Sequence, residues 1–165
     1  MLAGTRLQSI TSASKDPSKL LLPASSLTIG TNYVIQVSAG YNGVSSSTSI
    51  QVSVKAGDLI AVIDGGSSQA ARVGSLLTLD GSKSYDQNQM NLLGSAAGLP
   101  YSWSCTQLKP SLNGSCWSIF DKNNFLRQQT ASALKLVPLS KAENYVAQVT
   151  MTIQDASKSR MTSSI

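Results

Sequence analysis

Leu27-Thr28-Ile29-Gly30-Thr31-Asn32-Tyr33-Val34-Ile35-Gln36-Val37 returns 112 residues later as Leu139-Ser140-Lys141-Ala142-Glu143-Asn144-Tyr145-Val146-Ala147-Gln148-Val149. In each copy a Leu stands six residues before a Tyr, and the Tyr lies in Asn-Tyr-Val-x-Gln-Val. Each is also preceded by an apolar run that ends in Pro, at Leu22-Pro23 and Val137-Pro138. After the Tyr, apolar residues recur at every second position: Tyr33, Ile35 and Val37, then Tyr145, Ala147, Val149, Met151 and Ile153. A period of two marks a strand with one buried face. The repeat therefore predicts two equivalent strand entries in one chain.

Leu-x-x-Gly-x-x-Tyr leading into a long alternating strand resembles the tyrosine corner of immunoglobulin-like and fibronectin-type sandwiches. There the ring fills the corner between sheets and the hydroxyl bonds the backbone upstream. The resemblance assigns Tyr33 and Tyr145 to packing. In the second copy Ala142 replaces Gly30, so a somewhat different turn is expected.

The rest of the chain reads as short strands. Residues 19–22 form an apolar run stopped by Pro23, and 32–38 alternate. Asn42-Gly43 is a turn dipeptide, and residues 47–54 return with Thr48, Ile50, Val52 and Val54 on one face. Residues 59–63, 75–79, 101–105, 116–120, 134–136 and 145–153 supply further strand patterns, with at most a turn or so of helix within 123–133. The fold class is all-β, built as tandem immunoglobulin/fibronectin-III-like antiparallel β-sandwiches. By this reading residues 1–18 are irregular or a domain remnant. Residues 19–55 are the C-terminal strands of an incomplete sandwich, and 59–165 form a sandwich whose last strand is truncated. Three strands alone leave an apolar face bare, so the chain is expected to be a piece of a longer tandem array.

Composition narrows the function. In 165 residues there are 29 Ser and 11 Thr, 41% hydrophobic residues and no His. Without His there is no Ser-His-Asp triad, no Cys-His pair and no His-ligated zinc. Eight carboxylates leave few candidates for a paired acid/base site. Asp64, Asp80 and Asp86 give no nucleophile with a positioned base and read better as turn positions, so no enzyme is expected. The net charge of +5 is scattered rather than striped, which argues against nucleic acid. No apolar run approaches the 18 residues of a membrane helix, and residues 1–6 lack a signal-peptide layout.

Cys105 and Cys116 flank a turn-forming segment, and each abuts a Trp-containing stretch. Other soft ligands and a general base are both missing, which leaves a disulfide closing one loop in an oxidising compartment. Within that loop Asn113-Gly114-Ser115 is an N-glycosylation sequon.

Residues Asp64-Gly65-Gly66-Ser67, Arg72-Val73-Gly74, the run from Leu77 to Asp86, Tyr101-Ser102-Trp103-Ser104-Cys105 and Cys116 resemble the REJ (receptor for egg jelly) module. That module, related to the PKD-type sandwich, occurs in polycystin-family and egg-jelly-receptor ectodomains. The resemblance implies a non-enzymatic scaffold or adhesion segment at a cell surface, often a ciliary or flagellar one. Its partners would be other domains of the same large protein or membrane complex. The insertion at 87–99 departs from the tighter turn usual in that family. No cofactor is expected.

Trp103 is assigned to the core beside the disulfide, whereas Trp117 is left between core and glycan stacking. Asp80, Ser82, Ser84 and Asp86 alternate oxygen ligands as a calcium site does, which makes Asp80 and Asp86 weak calcium candidates. Turn capping by the same oxygens is the better reading. The alternative function is a carbohydrate-binding accessory module of a secreted hydrolase, which requires exposed aromatics in a line.

Overall fold

The computed structural model describes residues 11–24, 26–89, 91–157 and 160–165, with the backbone alone at position 164. The expected irregular segment 1–18 thus lies partly outside the described residues. The chain divides into two compact units, Met1–Ala56 and Gly57–Ile165.

The first unit is organised by one hairpin, β1 (Asn32–Tyr41) and β2 (Val44–Ser53), paired antiparallel from Asn32 opposite Ser53 to Tyr41 opposite Val44. Asn42 and Gly43 turn the chain at φ +49° and +78°. Positive φ at both central residues gives the twist that a two-residue hairpin needs. The register places Tyr33 with Val52, Ile35 with Ile50 and Val37 with Thr48 on one face. At the base, Gly30 N–H donates to Val54 O at 2.7 Å and Thr28 N–H donates to the Tyr33 hydroxyl at 2.8 Å.

The apolar run at 19–22 is not a strand. Ser12 Oγ donates to Lys19 O and accepts from Leu21 N–H, folding the segment back on itself as a loop. Among the described residues it has no ladder partner, and Leu20 and Leu21 stay exposed.

The second unit carries β3 (Leu59–Ile60), β4 (Leu77–Asp80), β5 (Tyr85–Asp86), β6 (Tyr101–Lys109), β7 (Gly114–Ser115), α1 (Lys122–Gln128), β8 (Ala133–Leu136), β9 (Val146–Gln154) and β10 (Met161–Ser164). Its main sheet has the order β10-β9-β6-β7, and β3-β5 and β4-β8 form two shorter antiparallel ladders. All three contribute to one core. Leu59 and Leu79 come from β3 and β4, Leu134 and Leu136 from β8, Trp103 from β6, and Met151 and Ile153 from β9. An all-β antiparallel fold with one short helix is what the alternating patterns specify.

Local departures have local causes. The 116–120 stretch is a 3₁₀ turn at Cys116–Ser118 rather than a strand, because Ile119 and Phe120 N–H both return to Cys116 O. The helix α1 starts where Asp121 Oδ1 accepts from Asn124 N–H at 2.7 Å, an N-cap bond. Its Phe125 is buried. Ile63 reaches the core although β3 stops at Ile60. The two repeat copies do turn differently. Gly30 has φ +78°, whereas the positive φ moves to Asn144 (+62°) in the second copy and Ala142 is buried.

Candidate functional site

Cys105, near the middle of β6, and Cys116, at the head of the 3₁₀ turn, are joined as a disulfide. Between them β6 doubles back on β7, with Thr106 opposite Ser115 and Gln107 opposite Gly114. Gln107 is buried and organises the loop. Its Nε2 donates to Ser111 Oγ at 3.0 Å, and its Oε1 accepts from Ser118 Oγ–H. Asn113 stands exposed at the tip with φ +60°. In the chain-entropy picture the crosslink around this short loop contributes about 3 kcal/mol. Reduction, or paired Cys105→Ser and Cys116→Ser, should therefore lower the urea midpoint, with the slope of the transition nearly kept. An unchanged midpoint would show that the Gln107 network holds the loop unaided. In a eukaryotic secretory host the exposed sequon is expected to be occupied. Asn113→Gln should then remove a glycosidase-sensitive mobility shift.

Trp103 lies in β6, two residues before Cys105. It is 3% exposed, and its Nε1–H donates to Ala131 O at 2.7 Å. Trp117 is half-buried, edge-on to Phe125 with ring centroids 5.6 Å apart, and Lys122 Nζ lies 6.0 Å from its ring centre. Of the nine aromatic residues only Tyr41 is exposed. That leaves no row of rings for a sugar to stack on. Tyr145 is half-buried, and its N–H donates to Ala142 O at 3.2 Å. Among the described residues its hydroxyl makes no upstream bond like that of Tyr33.

The Asp80–Asp86 turn is the second cluster. Asp80 Oδ1 accepts from Ser82 N–H at 2.8 Å, and this bond holds its carboxyl below the ordinary value. Ser84 is fully buried, and its Oγ both accepts from Val62 N–H and donates to Val62 O. Gly81 is required by a close approach: a Cβ there would lie 3.0 Å from Ser132 O and collide with Met151 Sδ. Tyr101 donates to Gly81 O at 3.3 Å, and burial pushes its phenol up.

Asp86 is 2% exposed and faces Arg160. Arg160 Nη2 donates to Asp86 Oδ2 at 2.6 Å, and Nη1 donates to Asp86 Oδ1 at 3.0 Å and to Gly57 O at 2.7 Å. Its Nε donates to Asp155 Oδ2 at 3.2 Å. Hydrogen bonding to Arg160 is the main reason the Asp86 carboxyl is held below its usual range, and it pushes the guanidinium up in turn. Asn88 N–H also bonds Asp86 Oδ1. Asp80 thus serves a turn amide and Asp86 serves an arginine. Among the described residues no three His, Cys, Asp or Glu side chains gather as a metal site.

Arg160 and Asp155 were not singled out in the sequence. A lone Arg 74 residues beyond its main partner leaves no local spacing signal, and only the folded register of β9 and β10 brings the groups together. Gln107 was missed for a simpler reason. A Gln within an alternating strand reads as an outward residue.

The sequence profile of the REJ domain matches residues 3–165. The chain belongs to the REJ domain family. The match takes in the hairpin unit as well as the larger disulfide-bonded unit. The REJ domain is a structural module of extracellular regions, polycystin-type ones among them. No helix among the described residues is long and apolar enough to cross a membrane. No solved structure matches the chain.

Proposed function

We propose that this REJ domain is a scaffold and adhesion segment in the ectodomain of a polycystin-like receptor-channel protein at a ciliary or cell surface. In this reading its two units are parts of tandem immunoglobulin/fibronectin-III-like sandwiches. They supply length and protein-contact surface to neighbouring domains of the same protein or membrane complex. The supporting observation is a REJ match that runs through both units together with a crosslinked Cys105–Cys116 loop. An oxidised loop fits an extracellular address. The Tyr33 hydroxyl bond to Thr28 N–H supports the sandwich-corner part.

The test is the transcript on both sides of this segment. Further β-sandwich domains upstream and membrane-spanning helices downstream are the expected outcome. A hydrolase catalytic domain in the same polypeptide would overturn it. Antibodies raised against the chain should also label intact, unpermeabilised cells. Labelling only after permeabilisation would remove the surface assignment.

A further inference from the structure

The chain enters the larger unit along a ladder that side chains extend. β3 pairs antiparallel with β5, Leu59 opposite Asp86 and Ile60 opposite Tyr85. Carried outward, the same register sets Asp58 against Gln87 and Gly57 against Asn88. Gln87 N–H still donates to Asp58 O at 3.1 Å, as a main-chain ladder requires. The return bonds go to side chains instead. Asp58 N–H donates to Gln87 Oε1 at 2.9 Å, and Gly57 N–H donates to Asn88 Oδ1 at 2.8 Å. Arg160 Nη1 donates to the remaining group, Gly57 O. Both main-chain groups of Gly57 are thus held by side chains 31 and 103 residues away in sequence.

This approach requires a glycine. A Cβ at position 57 would lie 2.8 Å from Gln87 Cβ and 3.2 Å from Asn88 Oδ1. On the N-terminal side the hairpin unit holds the chain as far as Val54. Its N–H donates to Thr31 O at 3.0 Å, and its O accepts from Gly30 N–H. Lys55 and Ala56 follow, exposed, and among the described residues neither has a main-chain hydrogen bond.

We propose that Gln87 and Asn88 form a clasp whose side-chain amides stand in for strand carbonyls, fix the start of the larger unit at Gly57, and confine the chain's freedom to Lys55 and Ala56. The clasp also guards a peptide bond. Backbone tied by hydrogen bonds must open locally before a protease can take it up as an extended segment. With Val54 and Gly57 both tied, Lys55–Ala56 is a latent site for a protease that cuts after Lys. Water would give its hydroxyl to the Lys55 carbonyl carbon and a proton to the Ala56 nitrogen as the C–N bond breaks.

Trypsin tests this directly, because Lys55 is the one Lys or Arg between Lys19 and Arg72. The whole 165-residue chain is compared with the double variant Gln87→Ala, Asn88→Ala. A separate variant, Gly57→Ala, crowds the clasp but keeps both amides. In each variant the cleavage rate at Lys55 should rise about tenfold relative to Lys19 and Arg72 in the same digest. Hydrogen exchange at the Gly57 and Asp58 amides should quicken by a similar factor, while the Trp103 amide, bonded to Gln129 O, keeps its rate. Equal cleavage at Lys55 in all three proteins would overturn the proposal. So would matching accelerations at Lys55, Arg72 and the Trp103 amide, because the whole unit rather than the clasp would then be loosening.

Discussion

Arg160→Met is expected to cost the larger unit about 4 kcal/mol. It would leave the Asp86 carboxylate, whose side chain is 3% exposed, with no cation. Removing one partner of a buried pair costs more than the pair contributes, because the remaining charge loses its compensation. For a unit of this size the loss corresponds to a fall in melting temperature of more than about 10 °C. The pH dependence makes the test specific. In the wild-type chain the Asp86 carboxyl titrates below its ordinary value. Its stabilisation is therefore present at neutral pH, above the ordinary carboxylate range, and is lost as pH falls through the folded pKa. In Arg160→Met the buried carboxylate is a burden at neutral pH that protonation relieves. The gap in melting temperature between the two proteins should narrow as the solution is acidified. A gap that stays constant with pH would assign the loss to packing alone. Asp86→Asn removes the charge from the other side and should show a smaller deficit, since Arg160 keeps Asp155 and Gly57 O.

Trp103→Ala should be comparably severe, at about 4 kcal/mol. It combines a cavity among Leu134, Met151 and their neighbours with an Ala131 carbonyl left without its indole donor. Trp103→Phe separates these effects, because it keeps most of the apolar volume and loses the hydrogen bond, for about 1 to 2 kcal/mol. Both Trp residues lie in the larger unit, so Trp117 fluorescence can follow unfolding after Trp103 is gone. Equal losses for the Ala and Phe variants would locate the effect in the hydrogen bond rather than the core.

What could be read from the sequence was what repeats or alternates. Tyr33 to Val37 and their return strand announce a hairpin, because period two and Asn42-Gly43 are both local signals. The stretch from Tyr101 to Cys105 is similarly plain. Residues 116–120 alternate just as well but wind into a 3₁₀ turn, since the Cys105 crosslink and the β6–β7 hairpin fix Cys116 where two amides can reach its carbonyl. The run at 19–22 has strand composition but no neighbouring edge among the described residues, and apolar composition cannot supply one. In the Asp80–Asp86 turn the sequence offered carboxylates but not their ownership. Asp80 is explained by an amide two residues away, a local pattern. Asp86 depends on an arginine 74 residues further on, which no spacing reveals.

Arg160 also bears on how the larger unit carries tension. Its guanidinium joins Gly57, the first residue of the unit, to Asp86 on β5 and to Asp155 at the end of β9. A pull along the chain at Gly57 and a pull through β10 therefore meet at the same side chain. All four bonds come from one planar guanidinium, so a displacement of Arg160 strains them together rather than one after another.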